Sequence, residues 1–152
     1  MKEYREFQFG WLIFIFVIPG HLFILYAFIN GIGSRPIDTS GIIIANVAFI
    51  SIYLLFYGMK TKITQETIIV SFGIGLIKKK IKMSRITSIK DTHNNYLYGW
   101  GIRFIPNGML YNISGSEAVE LKFNDSEKVF RVGTQNTDIL KAEIMKHIQG
   151  FS

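Results

Sequence analysis

Three groups of residues in this 152-residue chain have types that could do chemistry or bind charge. The first is His21, an ionisable ring inside a long stretch with no Asp, Glu, Lys or Arg. An imidazole there is either a proton or ligand site, or a neutral ring hydrogen-bonded to a neighbouring helix. The second is the basic cluster Lys78, Lys79, Lys80, Lys82 and Arg85. It offers attraction to anionic head groups, worth about 1 kcal/mol per cation close to a surface. The plain alternative is a solvated strand face that discourages edge pairing. The third is His93–Gly101, HNNYLYGWG, whose Tyr96, Tyr98 and Trp100 suit a recognition surface or a loop that dips into a membrane interface. The same rings could instead complete a small core.

Other chemistries find no support in the spacing. His21, His93 and His147 are not placed like metal ligands, and the chain has no cysteine to assist them. Disulfides and thiolate chemistry are excluded for the same reason. Gly73-Ile74-Gly75 is followed by Leu-Ile-Lys and lacks the third glycine of a dinucleotide loop. No Ser/His/Asp set can be assembled from spacing alone. Arg103 and Arg131 neighbour inward-facing residues, so each should point outward, to bind an anion or to pair with Glu117 or Glu120. No cofactor, metal or catalytic set is therefore expected.

The elements that position these residues begin with Phe9–Ile29, FGWLIFIFVIPGHLFILYAFI. As a helix it reaches about 30 Å, the thickness of a bilayer's hydrocarbon core. It is longer than a signal-peptide core and ends in Phe28-Ile29-Asn30-Gly31 and not in an Ala-x-Ala pattern, so it reads as an uncleaved span. Pro19 should kink it. Asn30–Gly41 is a short polar turn, and Ile42–Met59 spans back with Asn46 and Ser51 as its polar members. For a turn centred near Arg35-Pro36, antiparallel partners have numbers summing to about 71. That puts His21 beside Ser51 and Asn46 beside Leu25 and Tyr26. Lys2, Arg5, Lys60 and Lys62 flank the open end of this hairpin, against Arg35 alone in the connection, which places both termini in the cytoplasm.

Residues 1–59 thus form a two-helix transmembrane hairpin, and residues 60–152 a cytoplasmic domain. The formal net charge is +6, and all of the excess lies in residues 60–152, with 14 Lys/Arg against 8 Asp/Glu. A basic domain tied to a membrane most simply faces anionic lipid. Nothing else resembles a nucleic-acid module.

From Lys60 the hydrophobic period becomes two, as in half-buried strands. Strands are expected over Thr67–Phe72, Leu76–Met83, Ile86–Asp91, Gly101–Ile105, Met109–Ile113, Ala118–Phe123 and Lys128–Val132. Leu140, Ile144 and Ile148 then lie four apart, with Met145 beside them, an apolar helical stripe that Asn136 or Thr137 can cap. The fold class is a membrane α-hairpin plus an α+β soluble domain. That domain has about seven or eight short antiparallel strands in a barrel or sandwich, closed by a C-terminal amphipathic helix.

This order, and especially YGWGIRFIPNGMLYNISG, AVELKF and FRVGT within Tyr98–Thr134, resembles the pleckstrin-homology-like domain of bacterial membrane proteins. Small proteins of that kind carry a similar hairpin and similar Gly-x-Gly-Ile-Arg and Arg-x-Gly-Thr pieces. The resemblance implies a PH-like barrel plugged by the C-terminal helix, and a scaffold, an envelope-associated role or lipid-surface contact. It implies no catalytic residues. Eukaryotic relatives of the fold bind phosphoinositides, but their binding loop has no diagnostic match here.

The expected function is a non-enzymatic inner-membrane protein whose basic domain meets a protein or lipid surface. Its partners would be anionic lipids, other proteins or a second copy of the chain, and not nucleic acid. The alternatives are an accessory subunit of a larger envelope or transport complex, or a membrane-embedded enzyme using His21 or His93.

Overall fold

The computed structural model describes residues 3–95 and 100–149. In chain order the elements are β1 (Tyr4–Phe9), α1 (Trp11–Ile29), α2 (Thr39–Phe56), β2 (Gly58–Ile63), β3 (Thr67–Phe72), β4 (Ile77–Lys82), β5 (Ile86–His93), β6 (Gly101–Ile105), β7 (Gly108–Asn112), β8 (Glu117–Phe123), β9 (Ser126–Gly133) and α3 (Thr137–Gln149). The fold is α+β.

The two long helices form because their runs carry no charge and few breakers. α1 continues through Pro19 as one helix. Asp38 caps α2 by accepting a hydrogen bond from the Gly41 amide at 2.8 Å. Both are long and apolar enough to cross a membrane. Only Ala27 and Ile42 are buried within them, so most of their apolar surface faces outward.

The strands build two open sheets, β1-β2-β3-β4 and β5-β8-β9-β7-β6. Three features differ from the sequence expectation. First, a strand precedes the hairpin: β1 pairs antiparallel with β2 along its whole length, from Tyr4 opposite Ile63 to Phe9 opposite Gly58. Its inward side chains are Tyr4, Glu6 and Gln8, while Phe7 and Phe9 point out. The usual polarity of a half-buried strand is inverted, which hides it from a hydrophobic-period reading. Second, β7 and β9 pair in parallel, so the domain is not wholly antiparallel. Third, neither sheet closes into a barrel, and the described residues hold nine strands.

The sheets share one apolar core in which Met59, Ile68, Val70 and Phe72 of the first meet Val119, Leu121, Phe130 and Val132 of the second. α3 covers it with Leu140 and Ile144, both fully buried, and with Ile148, partly buried. Burial of each aliphatic side chain contributes about 1.5–3 kcal/mol. Met145, beside this stripe, is exposed. Asn136 caps α3 by accepting from the Ile139 amide at 3.0 Å.

β1 fastens the first sheet to the second. Gln8 Nε2 donates to the Gly133 carbonyl at 2.8 Å, a buried bond. Glu6 accepts from the Thr134 hydroxyl at 2.9 Å and from the Gln135 amide at 2.8 Å. The hairpin's base is likewise built into the domain. The Gly10 amide donates to the Tyr57 carbonyl at 2.9 Å, and the Phe56 ring meets the Phe72 ring at 5.9 Å. Both helices therefore leave the sheet directly from neighbouring strands. No linker intervenes.

Candidate membrane-facing site

The level at which the hairpin leaves the domain is marked by Phe9, Gly58 and Gly73. Phe9 and Gly58 are register partners, and the Gly73 amide donates to the Gly58 carbonyl at 2.7 Å. The β3–β4 turn, Gly73–Leu76, lies against the last turn of α2, where the Ile74 amide donates to the Leu54 carbonyl at 3.1 Å. Gly73 has φ 51°, and a Cβ there would collide with the Leu54 carbonyl oxygen, so this contact requires glycine. The turn holds two apolar side chains in the open: Ile74 is 56% exposed and Leu76 is 75% exposed.

Cross-strand register partners share a face of the sheet. The first outward row beyond the hairpin level is Phe7, Lys60, Ser71 and Lys78. The second is Arg5, Lys62, Ile69 and Lys80, and Lys82 opposite Thr67 stands further out. Each row is two residues, about 7 Å, farther along the strands. Lys78, Lys80 and Lys82 do lie on one outward face, but they recede from the hairpin instead of sharing one height. Lys79 sits on the opposite face, in register with buried Val70.

Charge compensation differs between the rows. Glu3 takes Arg5 at 2.8 Å and Lys62 at 2.9 Å, and these two cations hold its carboxyl below the usual carboxylate range. Among the described residues, Lys60, Lys78, Lys80 and Lys82 have no ion pair. Arg85, grouped with the lysines by sequence, is engaged elsewhere. Its Nε and Nη2 donate to Asp125 at 2.8 and 2.9 Å, and its guanidinium lies 5.2 Å from the Phe123 ring centre. The Arg85 hydrogen bond lowers the Asp125 pKa. Arg131 pairs with Glu120 at 2.8 Å, while Arg103 is exposed and has no ion pair among the described residues.

Of the aromatic loop, Tyr96 and Tyr98 lie outside the described residues, and Trp100 is partly exposed. His93 Nε2 lies 3.0 Å from the Ser116 hydroxyl at the surface.

Between the long helices, His21 meets three residues of α2. Its ring stacks on Phe49 at 4.4 Å, its Nε2 is 3.0 Å from Asn46 Oδ1, and its Nδ1 is 3.2 Å from the Tyr53 hydroxyl. Asn46 Nδ2 donates to the Ile42 carbonyl at 2.8 Å, which leaves Oδ1 as the acceptor. The imidazole then donates from Nε2, and its Nδ1 shares a hydrogen bond with the Tyr53 hydroxyl, so both ring nitrogens have a partner on α2. Asn46, Phe49 and Tyr53 occupy one face of α2 at spacings of three and four. Ser51, the partner expected from depth alone, lies on another face and donates to the Val47 carbonyl at 2.7 Å. Asn46 accordingly serves His21 and not Leu25 or Tyr26.

Among the described residues, no group of three or more His, Asp or Glu is placed to hold a metal ion. Comparison with protein-family models, with curated proteins and with solved structures finds no match in any of the three. Two apolar helices joined to a sheet-rich domain fit a membrane hairpin carrying a soluble domain.

Proposed function

We propose that the chain is a non-enzymatic integral membrane protein whose basic domain, of the bacterial PH-like kind, meets lipid or protein at the membrane surface. The observation that carries this reading is the junction: β1 and β2 run straight into α1 and α2, with the hairpin base packed on the domain core. A domain attached this way keeps a fixed height and orientation over any bilayer the helices cross. Its free lysines and exposed turn are then presented to that surface. The sequence motifs support the PH-like assignment, and the Lys/Arg count around the helix ends supports an inner-membrane location with both termini cytoplasmic. A second reading, a subunit of a larger membrane complex, draws on the outward apolar faces of the helices. Phe16, Phe23 and Ile44, each more than 60% exposed, would pack on partner helices as readily as on lipid.

The test is photocrosslinking of the full chain in native membranes, from a reactive side chain at Lys78 or Trp100. Adducts with phospholipid or with a defined protein support the surface module. Their absence at both positions overturns it. Stable co-purification through crosslinks from Phe16 or Phe23 would favour the subunit reading instead.

A further inference from the structure

The exposed turn and the first outward row of the four-stranded sheet lie side by side, and we infer that together they form a binding site for an anionic phospholipid of the bilayer. The inference rests on the reading of α1 and α2 as membrane spans. Lys60, Ser71 and Lys78 stand in register across three strands. The two lysines are two strand spacings apart, about 10 Å, with the Ser71 hydroxyl between them. Side chains as long as lysine converge over that gap on one phosphodiester. Just toward the hairpin, Leu76 and Ile74 project from the turn held on α2. A lipid seated here places its phosphate on the cations and its glycerol and upper acyl carbons on the turn. The polarity of the site, apolar toward the hairpin and cationic away from it, is that of a lipid at a leaflet surface.

The rest of the face explains why the site is a row across strands and not the stripe along β4. Arg5 and Lys62 are occupied by Glu3. Lys80 and Lys82 are about 7 and 13 Å farther along the strand than Lys78, one to two Debye lengths of about 8 Å at physiological salt. A shallow depression of ≈ 500 Å³, lined by Arg5, Glu6, Phe7, Lys60, Thr61, Lys62, Ile69 and Ser71, adjoins the Lys60 end of the row and leaves room there for a head group.

Two double variants of the full chain, each removing the same charge, separate these geometries. Binding of phosphatidylglycerol and of phosphatidylcholine to the detergent-solubilised protein is read by native mass spectrometry. K60Q/K78Q should reduce the preference for phosphatidylglycerol about fivefold per lysine, so about twenty-five-fold in all. K80Q/K82Q should leave it within about twofold of wild type, given the Debye screening at their distance. Equal effects of the two pairs, or retention by K60Q/K78Q, overturn this site while a wild-type preference keeps the lipid-surface reading alive. Absence of any wild-type preference overturns the site and the lipid branch of the proposed function together. The turn is checked independently of those lysines. The chain has no native cysteine, so L76C and I44C can each carry one spin label in vesicles. Both should be accessible to oxygen and shielded from a water-soluble relaxer. A water-like label at residue 76 beside a lipid-like one at 44 removes the turn from the bilayer and refutes the inference. Water-like labels at both positions refute the span reading as well.

Discussion

Residues 60–152 alone should not make a stable domain, whereas the chain with its hairpin excised should. The first fragment lacks β1 and Met59. Met59 is fully buried, and removing a buried side chain of that size costs about 2–5 kcal/mol. Loss of Gln8 leaves the buried Gly133 carbonyl without its donor, a further cost of about 1–3 kcal/mol. Glu6 takes with it the acceptor of Thr134 and Gln135 at the start of α3. Together these losses are of the same size as the whole stability of an ordinary domain, about 5–15 kcal/mol. The opposite outcome is expected when residues 10–57 are replaced by Asn-Gly. Phe9 and Gly58 are direct register partners, so a two-residue turn closes β1 onto β2 as an ordinary hairpin. The assay is thermal unfolding followed by circular dichroism on both proteins. The excised chain should melt cooperatively and the 60–152 fragment should show no transition. Cooperative melting of the fragment at the same temperature as the excised chain would refute the argument that β1 is integral to the fold.

Three further perturbations test other parts of the structure. Ile144→Ala opens a cavity where α3 covers the core, at a cost of about 2–5 kcal/mol, and should lower Tm by about 10 °C or more; an unchanged Tm would mean that the helix does not dock. Tyr4 is held above its ordinary pKa, first by burial and then by the Glu6 carboxylate that accepts its hydroxyl proton at 3.1 Å. Neutral Tyr4 therefore contributes its stability in full below the unfolded value of about 10 and loses it as pH rises through the higher folded value. Denaturant titrations should show wild type weakening more steeply than Y4F above about pH 10, and parallel curves would contradict this. His21→Leu removes two interhelical bonds and should weaken helix–helix association by about 1–2 kcal/mol in a detergent unfolding assay, with no change in the domain's own transition.

What could be read from the sequence followed from periodicity. The two uncharged runs became α1 and α2 almost as bounded, and the alternation of Ile68, Val70 and Phe72 or of Val119 and Leu121 marked buried strand faces. Leu140 and Ile144 marked the docking stripe of α3 in the same way. Periodicity carries no information on pairing direction or register. The parallel pair β7–β9 was therefore not legible, nor was the alignment of Lys60 with Lys78 across Ser71. β1 escaped because its inward face is Tyr, Glu and Gln. Glu6 and Gln8 act through bonds to Gly133, Thr134 and Gln135, more than a hundred residues away. For His21 the depth estimate was close, since Phe49, at the ring's own level, gives a sum of 70. The face was not, because helix phase depends on how α1 and α2 roll against each other.

The junction also limits what the basic face can do. In a peripheral protein, lysines raise the time spent at the membrane, because each cation adds to the binding free energy. A chain crossing the bilayer twice gains nothing from that, since its helices already hold it there far more firmly than surface charge could. Attraction between Lys60, Lys78 and an anionic leaflet can then act in only two ways: by biasing the tilt of the sheet over the surface, or by enriching anionic lipid beside it. The contacts of Gly10 with Tyr57 and of Ile74 with Leu54 oppose any change in tilt, because tilting would break hydrogen bonds at the helix base. On the membrane reading proposed above, the remaining effect is on the lipid. On that reading the domain would select which head groups surround the hairpin.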